Sequence, residues 1–141
     1  MKPLYFVRRF AILGLLFCLI GCGPRYHPVE GKVVWKDGSA AIELQGGSVE
    51  FESEDAKRSA RGVIDKDGAF RMSSLKPGDG LLVGNYKVVV IEPPTFFESP
   101  VHILDPRFCR YATSNLNYTV KASGNKDVVF EVERAKQKPR E

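Results

Sequence analysis

Five side chains are the chain's best candidates for chemistry: Cys18, Cys22 and Cys109, and the two histidines, His27 and His102. A cysteine nucleophile needs an activating base beside it, and neither histidine forms a recognisable pair with Cys109. Cys18 and Cys22 are four residues apart, a spacing open to a disulfide, a metal pair or processing. Asp65, Asp67 and Gly68 in "VIDKDGAF" (63–70) match part of a calcium loop. A full loop needs further oxygen ligands and a terminal Glu at fixed spacing, and these are missing. The stretch reads instead as a hairpin in which Asp-Gly supplies the positive φ of a tight turn between two strands. Pro77, Gly78, Gly80 and Gly84 set another loop. It is not a phosphate loop, because no Gly-Lys-Ser/Thr follows. No catalytic residue, metal site or cofactor is expected.

The first residues settle the cysteine question. Lys2, Arg8 and Arg9 precede an uncharged apolar run from Phe10 to Gly21. This is the pattern of a secretory signal, and the run is shorter than the roughly 20 residues needed to span a bilayer. Leu19-Ile20-Gly21-Cys22 resembles the bacterial lipobox: an aliphatic residue, a freer position, a small residue, then cysteine. The small residue lets the peptidase reach the backbone, and the thiol takes the lipid before cleavage between Gly21 and Cys22. Cys18 is then discarded with a signal peptide of residues 1–21, and Cys22 becomes the lipidated first residue. Several acyl chains hold a protein stably where one is marginal. Gly23, rather than Asp, follows the cysteine. By the sorting rule of well-studied Gram-negative bacteria this favours the outer membrane, with the domain on its periplasmic or surface face.

Residues 1–21 carry three of the 21 Lys and Arg and none of the 17 Asp and Glu, so their removal takes the net charge from +4 to about +1. The basic balance belongs largely to the signal and makes no case for nucleic acid. The remaining length fits one domain able to build a core without disulfides. Cys109 has no partner within the mature chain. Its thiol is expected to be buried, or else to cross-link two copies.

After a tether at 22–28, alternation dominates. Val29, Gly31, Val33 and Trp35 share one side of a period-2 run that ends at Asp37-Gly38. Val49 and Phe51, Phe70 and Met72, Leu116, Tyr118 and Val120, and Val128, Phe130 and Val132 repeat the pattern. Tyr86, Val88 and Val90 run opposite Lys87, Val89 and Ile91 in a more fully buried strand. Short alternating strands broken by Gly, Pro, Asp and Asn predict an all-β sandwich over 29–134. No amphipathic helix is expected. Four prolines punctuate the aromatic connection 92–114. The charged tail 135–141 is expected to be disordered.

Taken together, these segments resemble small lipoproteins, numerous in planctomycetes, with a carboxypeptidase-regulatory-like, transthyretin-like domain. The resemblance rests on the lipobox and on "HPVEGKVVWKDG" (27–38), "GSVEFES" (47–53), "ARGVIDKDGAFRM" (60–72), "GDGLLVGNYKVVV" (78–90) and "PRFCRYATSNLNYTVKASGNKDVVFEV" (106–132). In the last segment, Arg107-Phe108, Thr113-Ser114 and Leu116 match the family pattern. Cys109, Arg110 and Tyr111 stand where the family often has an acidic-proline turn. The resemblance implies a seven-stranded Greek-key sandwich; it does not imply catalysis. Related transthyretin-like hydrolases use a His/Arg cluster and a C-terminal Tyr-Arg-Gly-Ser, which this sequence does not match.

The expected function is a lipid-anchored envelope module that binds a protein or a polymer. Loops 74–84 and 92–114 would form its contact surface, with Phe96, Phe97 and Tyr111 as anchors. The alternative is a carbohydrate or small-ligand binder that stacks sugars on Tyr111 or Trp35, although Trp35 follows the core alternation. A hydrolase built on His27 or His102 is the third reading.

Overall fold

Alternation decides which side chains face inward, and the resulting strands form two sheets. The computed structural model describes residues 23–55, 57–96 and 101–136, with Phe96 described in its backbone only. The signal segment, Cys22, Phe97 and the tail from residue 137 lie outside the described residues. The strands are β1 (Glu30–Trp35), β2 (Ser48–Ser53), β3 (Ser59–Val63), β4 (Ala69–Arg71), β5 (Gly84–Ile91), β6 (Leu116–Val120) and β7 (Val128–Val132). One sheet has the order β4-β1-β7 and the other β3-β2-β5-β6. All pairings are antiparallel except β1 with β7. The molecule is thus an all-β, seven-stranded sandwich, and its helical turns among the described residues are short 3-10 pieces at Ile42–Leu44, Pro94–Phe96 and Pro106–Cys109.

The core is aromatic at its centre. Phe51 of β2 lies 5.7 Å from Phe130 of β7 across the sandwich and 6.0 Å from both Tyr86 and Tyr118. Phe130 in turn stacks on Phe70 of β4 at 5.8 Å. Trp35 is 2% exposed. Its indole N–H donates to Glu43 (2.9 Å), and the Arg134 guanidinium covers its ring at 4.2 Å. It is therefore closed to sugar stacking, as its place in the alternation predicts.

The structure corrects the hairpin read at 63–70. The tight turn forms: the Gly68 N–H donates to the Asp65 carbonyl (3.1 Å) with Gly68 at φ +74°, and Asp65 Oδ1 accepts from the Asp67 and Ala69 N–H groups. But β3 and β4 belong to different sheets. The Val33 N–H captures the Gly68 carbonyl at 2.8 Å, which carries β4 onto β1. Beyond the turn, the two arms are joined by the Asp65 N–H on the Ala69 carbonyl (2.8 Å) and by an isolated bridge between Arg61 and Ser73.

The boundaries also tighten. His27 exchanges two backbone hydrogen bonds with Leu81 (2.7 and 3.0 Å), so the tether is already stitched to the body before Val29. Gly80 makes this approach possible, since a Cβ there would lie 1.8 Å from the His27 carbonyl oxygen. At the other terminus the Ala135 N–H donates to Ile103 at 2.9 Å, which places the start of the expected tail within the fold.

The register fixes two ends. The entering chain and the β2–β3, β4–β5 and β6–β7 connections cluster at one; the β1–β2, β3–β4 and β5–β6 connections cluster at the other. Loops 74–84 and 92–114 therefore do not form one contact surface. The eight residues of β5 set their points of attachment about 25 Å apart.

Candidate functional site

The connection between β5 and β6 is irregular because prolines deny it a ladder, and it is held by a buried carboxylate instead. Glu92 is 4% exposed. Its Oε1 accepts from the Ile103 N–H (2.6 Å) and the Leu104 N–H (2.7 Å), and its Oε2 meets His102 Nδ1 at 2.8 Å. Leu104 and Phe108 plug into the core beyond this clasp. Asp105 accepts from the Arg107 N–H and starts the 3-10 turn that presents Phe108. The far end of the loop is tied by buried Ser114, whose hydroxyl donates to the Val88 carbonyl at 2.6 Å.

Cys109 lies half-buried in this loop, packed against the core. Burial first, and then the Glu92 charge, push its thiol pKa up. An activated cysteine needs the opposite environment, so this group of Glu92, His102 and Cys109 holds a loop rather than poising a thiolate. His27 sits at the opposite end beside Leu81, so the two histidines share no site. Among the described residues, no three His, Cys, Asp or Glu side chains converge on a possible metal position.

Of the three predicted anchors, the structure places one. Tyr111 is half-buried on the outer face of the four-stranded sheet. Burial there, with Glu50 and Glu52 nearby, pushes its phenol up to about 12. Val89, the register partner of Glu50, is 2% exposed although alternation turns it away from the core. The loop therefore folds back over this face, and Tyr111 is partly spent on packing. Phe97 and the Phe96 side chain lie outside the described residues.

One concavity is a feature that sequence reasoning missed. An open groove of about 1110 Å³ crosses the outer face of the three-stranded sheet and is walled by Arg61 and Val63 of β3. Its charges are paired across strands where register allows: Arg71 with Glu30 at 3.3 Å, and Arg61 with Glu50 at 3.6 Å. Lys32, Lys126, Asp65 and Asp127 add both signs, and Val63 and Val129 are its exposed apolar side chains. No aromatic face is presented, since Phe70 is buried. Each of these residues was visible as an outward position, but the concavity depends on how β3 and β4 diverge.

Loop 74–84 is shaped by Asp79, whose carboxylate accepts from the Ser74, Leu75 and Lys76 N–H groups at 2.7–3.0 Å. Burial acts to raise its pKa, but the three donors together hold it below the ordinary aspartate range. A depressed folded pKa stabilises the fold above the unfolded value, and that contribution is lost as pH falls through the folded one. Asp79→Asn is therefore expected to cost about 1 kcal/mol at neutral pH, after allowance for solvent screening. It should also flatten part of the acid limb of a stability–pH profile, and an unchanged limb would refute the clasp.

The fold and these surfaces define a β-sandwich with a clasped loop at one end and a mixed-charge groove on one face. No family model and no curated protein matches the chain. Solved structures similar to it include two DUF3823 family proteins. One is a DUF3823 family protein from Bacteroides ovatus ATCC 8483, at 18% identity and TM-score 0.44, covering 77% of this chain and 44% of that one. The other is a DUF3823 family protein from Parabacteroides merdae ATCC 43184, at 12% identity and TM-score 0.44, covering 79% and 47%. The chain thus matches less than half the length of each.

Proposed function

We propose that this chain is a lipid-anchored cell-envelope module with a non-catalytic role, structural or in binding a protein or polysaccharide. Its sandwich would be of the transthyretin-like, Greek-key type of the lipoproteins it resembles. The observation that carries this reading is the sequence Leu19-Ile20-Gly21-Cys22, followed within five residues by the stitch at His27. A signal peptide of residues 1–21 would be cleaved, and lipid on Cys22 would hold the domain by one end, on the outer membrane by the Gly23 rule. Loop 92–114 then lies at the end remote from the anchor, where it would be offered to an envelope partner. Tyr111 contributes its free edge there, with Phe96 and Phe97 as further candidates.

A carbohydrate or small-ligand role is the second reading. The groove lined by Lys32, Arg61, Arg71 and Lys126 favours it, since its size and mixed polarity suit a polar polymer. His27 and His102 lie at opposite ends of the sandwich, which counts against a hydrolase site that uses both.

The test is the intact mass of the N-terminal fragment from purified membranes, with Cys22→Ser as control. A fatty-acylated fragment beginning at Cys22 and absent from the control is expected. An unmodified chain beginning elsewhere would overturn the anchoring reading.

A further inference from the structure

The end at which the chain enters combines exposed apolar side chains, which the remote end also has in Ile42 and Val101, with a cationic recess. Leu75 is 77% and Val83 53% exposed, and both belong to the β4–β5 connection at this end. Leu75 also borders a recess of about 180 Å³ lined by Tyr26, Lys57, Arg58, Ser59 and Ser74, with Leu81, Leu82 and Tyr86 at its base. The described residues that line it include two cations and two serines and no carboxylate, and Asp55 lies beside Lys57 and Arg58 with its carboxylate accepting from the Ser53 hydroxyl and the Lys57 N–H. The nearby Asp79 is turned onto its own backbone.

Charge at the two ends differs in the same sense. Arg25, Lys57, Arg58, Lys76, Lys121 and Lys126 occupy the connections at the entering end. Four carboxylates oppose them: Glu54, Asp55, Asp79 and Asp127. At the remote end the described connections carry more carboxylates than cations. Position adds a third argument. Tyr26, in the wall of the recess, is four residues from Cys22. Chain length therefore keeps the recess within about 14 Å of any lipid on that cysteine.

We infer that this end is a membrane-docking face: Leu75 and Val83 enter the interface of an anionic phospholipid leaflet, and the Lys57–Arg58 recess receives a lipid phosphate. The inference rests on the anchoring reading and adds what the domain does once anchored. It lies on the leaflet by one end, which fixes the direction in which loop 92–114 is displayed. Apolar tips supply interfacial burial, and cations beside them gain from the surface potential, in the two-signal manner of stable membrane attachment.

The experiment uses residues 22–141 with Cys22→Ser, so that no acyl chain contributes. Among the described residues the first of the buried core is Val29, so this segment holds all of the core that they form. Co-sedimentation is measured with phosphatidylcholine vesicles, with and without about 30% phosphatidylglycerol, at rising salt. Binding to the anionic vesicles that is lost at high salt is expected. Lys57→Ala with Arg58→Ala should weaken it about 30-fold, Leu75→Asp should weaken it comparably, and Lys36→Ala with Arg107→Ala at the remote end should leave it unchanged. Indifference to vesicle charge, or an equal loss from the remote pair, would overturn the inference. Because the probe carries no acyl chain, that failure would leave the mass measurement on Cys22 standing. Conversely, an unacylated Cys22 in cells would sink the anchoring reading whatever the vesicles do.

Discussion

Phe51→Ala is expected to lower the unfolding free energy by about 4 kcal/mol, the upper part of the range for a buried ring. Phe51 is fully buried and is the ring at which the two sheets meet. It touches Tyr86 and Tyr118 within its own sheet and Phe130 across the seam. Truncation removes its transfer energy, forfeits three tilted or edge-on ring contacts, and leaves a cavity that strands pinned by their ladders cannot close. A domain of this size has a total stability of roughly 5–15 kcal/mol, so the variant would sit near the threshold of folding. Phe51→Leu refills most of the volume and should cost about 1.5 kcal/mol. Urea titration with an unchanged slope would measure both. A loss under about 1 kcal/mol for the alanine variant would mean that the aromatic seam does not hold the sheets together.

The strands that make this seam were legible in the sequence because burial on one face imposes a period of two. Phe51 between Glu50 and Glu52, and Phe130 between Val129 and Glu131, announce their inward direction locally. The Asp-Gly turn at 67–68 was legible for the same reason, since positive φ has a residue signature. Sheet membership was not. Whether β4 joins β3 or β1 is decided by a ladder to β1 that runs from the Gly68 carbonyl on the Val33 N–H to the Met72 N–H on the Val29 carbonyl, contacts between distant segments with no local pattern. The stitch from His27 to Leu81 is of the same kind: Gly80 reads as one more loop glycine until the backbone approach is seen. The placement of the two loops was within reach of sequence reasoning, because any strand between two loops sends them to opposite ends. The groove was not, since it exists only where two sheets part. The candidate anchors show the limit of reading by residue type. Tyr111 is an aromatic in a long loop, yet it is half-buried, with the Glu50 and Glu52 charges nearby.

Glu92 left the least trace, one acid before two prolines, and its removal should have the second-largest effect. Glu92→Ala is expected to cost about 3 kcal/mol, because it strips two buried backbone N–H donors and His102 of their acceptor at once. Glu92→Gln keeps an oxygen for the Ile103 and Leu104 N–H groups and should cost about half as much. Two further readouts separate a loosened loop from general instability. Amide exchange at Ile103 and Leu104 should accelerate well beyond the change in β2 or β7, because the loop would open locally. Cys109 should also react faster with a thiol reagent, since the burial and the Glu92 charge that keep it protonated would both be relieved. Unchanged exchange at these two amides, with unchanged thiol reactivity, would refute the clasp. If it holds, one carboxylate lets a proline-broken loop keep Leu104 and Phe108 seated in the core. A fixed loop has less conformational freedom to lose on contact, so the same substitution should weaken binding of an envelope partner at this end while leaving vesicle docking at the other intact.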